Sequence, residues 1–135
     1  MIAFTVFGEP KGKGRPRFTR NGRTYTDSKT VSYENLVRYA YLEACGGNPK
    51  IHKGSVEVCI KAYFSIPKSE SKKNKEKMMS GDIRPTKKPD IDNIIKSVLD
   101  GLNGVAYGDD KQVVTVIAMK HYSDIPSVEI TIRGD

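Results

Sequence analysis

Lys88-Pro89-Asp90-Ile91-Asp92-Asn93-Ile94-Ile95-Lys96-Ser97-Val98-Leu99-Asp100-Gly101-Leu102 is the stretch on which the reading of the chain turns. Ile91, Ile94, Ile95, Val98, Leu99 and Leu102 form one apolar stripe at helical spacing, which predicts a helix from about Ile91 to Leu102. Proline keeps the entry extended, Asp90 stands at the N-cap position, and Asn103-Gly104 ends the run. With one residue per roughly 100° of turn, Asp92, Lys96 and Asp100 fall in a row beside or opposite the apolar stripe. Tyr107-Gly108-Asp109-Asp110 follows, and a turn there is expected to bring its carboxylates back towards the helix start.

Outward from this helix the pattern changes from helical to alternating. Val56, Val58, Ile60, Ala62, Phe64 and Ile66 share one face of a predicted strand, and Pro67 closes it. Ile2 to Phe7 reads as a first strand ending at Gly8, and Val128, Ile130 and Ile132 mark a last one. Val113 to Tyr122 is apolar on both faces in its first half, as a central strand would be. Phe18 to Asp27 fits a short hairpin turning at Asn21-Gly22. A first helix, capped by Asp27 or Ser28, is expected to run to about Cys45 with Val37, Ala40, Tyr41 and Ala44 on one face. The basic segment 68–88 is read as a solvated helix or a mobile loop, its lysine-dense part ending at Ser80. The fold class is α+β: one mixed β-sheet with two main helices packed on it, in a single domain spanning 1–135.

Charge is distributed unevenly along the 135 residues. The formal net charge is +7, but residues 1–53 carry +6, residues 54–88 carry +5, and residues 89–135 carry −4. A surface made only to hold a polyanion gains nothing from a local acidic block, whereas one that holds divalent cations beside a phosphate needs it. Cys45 and Cys59 stand alone without metal-ligand spacing, which argues against zinc and for a reducing compartment. There is neither a signal-peptide pattern nor an apolar run of membrane-spanning length, so the expected location is cytoplasmic, with no membrane partner.

The acidic residues support two readings. Carboxylates converging on one point repel each other until a cation neutralises them, and magnesium (or manganese in its place) prefers such oxygen ligands. Lys96, one turn beyond Asp92, would then stabilise charge on a phosphate or an attacking water. The plainer reading is that Asp90 and Asp92 serve the helix N-terminus, Asp109-Asp110 is ordinary turn composition, and Asp92–Lys96 is a surface ion pair. Lys11, Lys13, Arg15 and Arg17 lie on a glycine-rich stretch that suits phosphate contact, and Lys87 and Lys88 adjoin the carboxylates. The same stretch is not a nucleotide-binding P-loop, because Gly14 follows Lys13 where Ser or Thr is needed. His52 and His121 have no ligand spacing and are given no role.

Three motifs in order, Lys88 to Lys96, Leu99-Asp100-Gly101-Leu102-Asn103 and Asp109-Asp110-Lys111-Gln112-Val113, resemble the RusA family of Holliday junction resolvases, often prophage-encoded. Gly8-Glu9-Pro10 with Lys13-Gly14-Arg15-Pro16-Arg17 is similar to that family's opening motif. The resemblance implies a magnesium-dependent endonuclease that acts as an intertwined homodimer. Its substrate would be four-way DNA junctions, resolved by paired symmetric nicks in recombination and repair. It carries the catalytic and metal-binding carboxylates over to Asp90, Asp92 and Asp110, with Asp109 an alternative to Asp110, and the essential lysine to Lys96. Two other readings stand beside it: a nuclease acting on other DNA forms, and a non-catalytic nucleic-acid-binding module.

Overall fold

The computed structural model describes residues 1–13, 17–18, 24–25 and 28–134, with side chains described at 1–13 and 32–134. Its central element is β4 (Val56–Ser65), where strict alternation buries Val56, Val58, Ile60, Ala62 and Phe64 on one face. β1 (Ile2–Phe7), β5 (Val113–Ser123) and β6 (Ser127–Gly134) complete a four-stranded sheet in the order β1-β6-β4-β5. β6 is antiparallel to both neighbours, while β4 and β5 run parallel, so the sheet is mixed. A parallel pair cannot be closed by a tight turn, and the crossover between β4 and β5 carries two helices. Two further short strands, β2 (Arg17–Phe18) and β3 (Thr24–Tyr25), pair antiparallel as the expected hairpin, and its Asn21-Gly22 turn lies outside the described residues.

Two helices bury their apolar stripes in the core that covers one face of the sheet. In α1 (Ser28–Ala44), Tyr33, Val37 and Tyr41 are buried and Ala40 is partly so, whereas Ala44 is exposed. In α3 (Ile91–Leu102), Ile94, Val98 and Leu102 are buried, each contributing on the order of 1.5–3 kcal/mol of apolar transfer. The two helices pack closely at Gly101, where a β-carbon would lie 2.9 Å from both the Glu34 carbonyl oxygen and Val37 Cβ. α2 (Lys72–Ser80) settles the lysine-rich segment as a helix. Ser71 Oγ accepts from Asn74 N at 3.2 Å, Gly81 closes the C-terminus at φ 91°, and Met78 is buried. Cys45 and Cys59 are free and half-buried. Among the described residues no helix is long and apolar enough to cross a membrane.

One expectation is corrected. Val113 to Tyr122 is not a central strand but the sheet edge, paired with β4 alone. Val114 and Ile117 are 64% and 54% exposed, so the run of apolar residues on both faces reflects an uncovered surface rather than double burial.

Candidate functional site

Asp90 occupies the N-cap of α3 with extended backbone, following a cis Lys88–Pro89 bond, and its carbonyl accepts from Ile94 N at 3.0 Å. Its side chain makes no capping hydrogen bond, and both Asp90 and Asp92 are exposed. A residue selected only to close the helix would spend its carboxylate on the orphan amides of the first turn. Lys96 is exposed one turn further on, and Lys87 and Lys88 are exposed just before the helix.

The start of α3 is held by the N-terminal segment. Lys13 N donates to the Asn93 carbonyl at 3.0 Å, and Ser97 Oγ donates to the Lys11 carbonyl at 2.9 Å. Gly12 permits this approach, since a β-carbon there would meet Asn93 Cβ at 2.8 Å and Pro89 Cβ at 2.9 Å. Lys11 keeps its side chain exposed. Lys13, expected beside it on the phosphate-facing surface, is partly exposed, with its amine 2.5 Å from Asp100 and 3.2 Å from Glu34. The hydrogen bond to Asp100 raises the Lys13 pKa above its ordinary value against the opposing effect of burial. Arg15 and the side chain of Arg17 lie outside the described residues.

The second acidic group is built around Gln112. Asp109 opens a 3-10 turn (Asp110–Gln112), and its carboxylate accepts from Lys111 N at 3.0 Å. Gln112 Oε1 accepts from Gly108 N at 2.9 Å and Asp109 N at 3.2 Å, while its Nε2 donates to the His52 and Gly54 carbonyls at 2.9 Å each. His52, buried, is itself bonded through backbone N and Nδ1 to the Ala106 carbonyl at 2.8 Å and 3.0 Å. The turn is thus fixed to the loop before β4. Asp109-x-x-Gln112 is a capping box, a spacing that the sequence itself displays.

The two aspartates of this turn are unequal. The backbone bond from Lys111, and then a hydrogen bond to Asp110, hold the Asp109 pKa below its ordinary value. Asp110 is pushed up, first by that hydrogen bond to Asp109, then by burial and by the negative charges of Asp109 and Asp100. Asp109 does structural work in the turn, whereas Asp110 is exposed and crowded by like charge. Tyr107 lies in the same field: burial first, then Asp110, Asp100 and Asp109, raise its pKa, and its hydroxyl donates to the Leu99 carbonyl at 2.6 Å.

Asp90, Asp92 and Asp110 were expected to converge, and within one chain they do not. Asp110 belongs with Asp100 and Tyr107 at the C-terminal end of α3, whereas Asp90 opens the N-terminal end beside Ala118 and Lys120 of β5. At 1.5 Å rise per residue, Asp90 and Asp100 are roughly 15 Å apart along the helix. Among the described residues no three His, Cys, Asp or Glu side chains form a group that could hold a metal ion. Chemically the donors fit magnesium or manganese, being exposed carboxylates without sulfur or imidazole.

Residues 8–133 match the family described as Endodeoxyribonuclease RusA. The protein "Uncharacterized protein YqaN" of Bacillus subtilis (strain 168) is 45% identical over 136 residues, covering 98% of this chain and 95% of that protein. A match from the end of the first strand to the last, with the motifs in place along it, makes the chain a member of the RusA endodeoxyribonuclease family.

Proposed function

We propose that the protein is a magnesium-dependent endonuclease that resolves four-way DNA junctions by paired nicks, working as a homodimer in recombination and repair. What carries this reading, beside the family match over residues 8–133, is the pair of exposed carboxylates at the head of α3, with Asp90 leaving the helix amides uncapped. Asp90, Asp92 and Asp110 would hold the metal, which when bound supplies Lewis acidity and an activated water. Lys96 would stabilise charge on the phosphate undergoing attack. Lys11, Arg15, Arg17, Lys87 and Lys88 would contact flanking phosphates, while Lys13 pairs with Asp100 and Glu34.

The roughly 15 Å between the two ends of α3 gives the homodimer a catalytic purpose. In the proposed dimer, Asp110 of one copy completes the Asp90–Asp92 pair of the other, giving two equivalent sites. Their two-fold relation matches that of an open four-way junction.

The decisive experiment incubates the protein with labelled four-way junction and linear duplex at one salt concentration, with and without magnesium. Paired nicks at the junction are expected, and Asp92→Asn should bind the junction yet fail to nick it. Equal cleavage of linear duplex would favour a broader nuclease. Salt-dependent binding without nicking in magnesium or manganese would leave only a binding module.

A further inference from the structure

An open cavity of about 400 Å³ is lined by Arg84, Lys87 and Lys120, with Asp90 and Ile91 at the head of α3 forming one side. Three cations border it, and among the described residues none of them is within ion-pair distance of a carboxylate, since the ion pairs found there are those of Lys13. Gathering like charges is unfavourable unless an anion completes the group.

The cations are also held in position. Arg84 Nε donates to the Lys120 carbonyl at 2.9 Å, and Lys120 Nζ donates to the Lys87 carbonyl at 2.6 Å. These bonds tie the segment before α3 to β5, with the Lys120 amine 5.0 Å from the Phe64 ring centroid and the Lys87 amine 5.9 Å from that of Tyr122. Arg84 Nη2 lies 3.4 Å from His121 Nε2. Burial, and then the charges of Arg84 and Lys61, lower the His121 pKa, which favours the neutral ring beside the guanidinium. Side chains already ordered in this way lose less entropy when they bind.

We infer that this cavity is a seat for a DNA backbone phosphate flanking the one to be cut, with Arg84 and Lys120 as its principal donors. The inference rests on the nuclease reading for its substrate and adds two contacts absent from the sequence-derived set. Sequence alone gave no reason to choose them, because Arg84 and Lys120 are 36 positions apart and meet only when β5 passes the head of α3.

The test measures binding of a synthetic four-way junction by fluorescence anisotropy across a salt series, with calcium replacing magnesium to block cleavage. Arg84→Gln and Lys120→Gln should each flatten the plot of log affinity against log salt by about 0.9, the value for one lost phosphate contact. Lys120→Arg and Arg84→Lys, which keep the charge, should retain the wild-type slope. Lys50→Gln, in the loop after α1, should retain it too. Wild-type slopes for both glutamine variants would overturn the inference, even if the wild-type protein nicks junctions. Flattened slopes alongside a wild-type protein that never nicks would leave the phosphate seat standing and remove the nuclease reading.

Discussion

Gln112 Nε2 lies 2.9 Å from the carbonyl oxygen of His52, sixty residues earlier in the chain. With its bond to Gly54 and two accepted amides, this one side chain holds the turn that carries Asp110. Gln112→Leu removes all four contacts and strands polar groups, which should cost about 2 kcal/mol in urea unfolding. It should also raise the magnesium concentration needed for half-maximal nicking, because Asp110 is then less firmly placed. Unchanged stability and unchanged magnesium response would show that the turn does not depend on this clamp.

A shared active site has a clear signature. Asp92→Asn and Asp110→Asn homodimers should each be inactive. If the site combines the head of α3 from one copy with Asp110 of the other, a mixed dimer has one doubly altered site and one intact site. Mixing the two variants, with subunit exchange allowed, should restore single-strand nicking to about half the wild-type dimer's rate per mixed dimer. No recovery after verified exchange would remove the shared-site assignment.

Gly101→Ala sets two effects against each other. Alanine improves helix propensity by about 1 kcal/mol over glycine. Its β-carbon, however, would lie 2.9 Å from the Glu34 carbonyl and from Val37 Cβ, and overpacking of that kind costs about 1–3 kcal/mol. The clash should prevail, so thermal unfolding should occur at a lower temperature. A higher midpoint would mean that α1 can shift away from α3 at no cost.

His121 gives a pH dependence whose sign is fixed. Burial, Arg84 and Lys61 lower its folded pKa below 6.5, so between the folded and unfolded values the unfolded chain binds more protons. Its stabilising contribution is therefore complete above pH 6.5 and declines as pH falls through the folded value. An NMR titration should place the ring below 6.5. The stability difference between wild type and His121→Asn should shrink as pH is lowered from neutrality, and a difference independent of pH would contradict the lowered value.

Elements governed by one-dimensional periodicity were legible in the sequence. β4 and α3 follow from spacing because each buries one face against a single layer. Val113–Ile117 misled, since an apolar residue on a strand says that a surface suits packing, not that anything covers it. Lys13 shows a related limit: composition marks it as a phosphate ligand, and only the fold reveals Asp100 within reach of its amine. The separation of Asp90 from Asp110 was likewise hidden. A turn following a helix returns the chain near that helix, and nothing local says to which end.

β6 sits between β1 and β4, so a strand far along the chain from β1 fills the middle of the sheet, and among the described residues β1 has no other neighbour. Residues 1–7 can pair only once residues 127–134 have been made, and by then α3 and its aspartates have been made as well. A chain cut short before that strand has acidic side chains without a finished platform beneath them. A fragment ending before Ser127 is therefore expected to lack the ordered sheet on which the head of α3 rests.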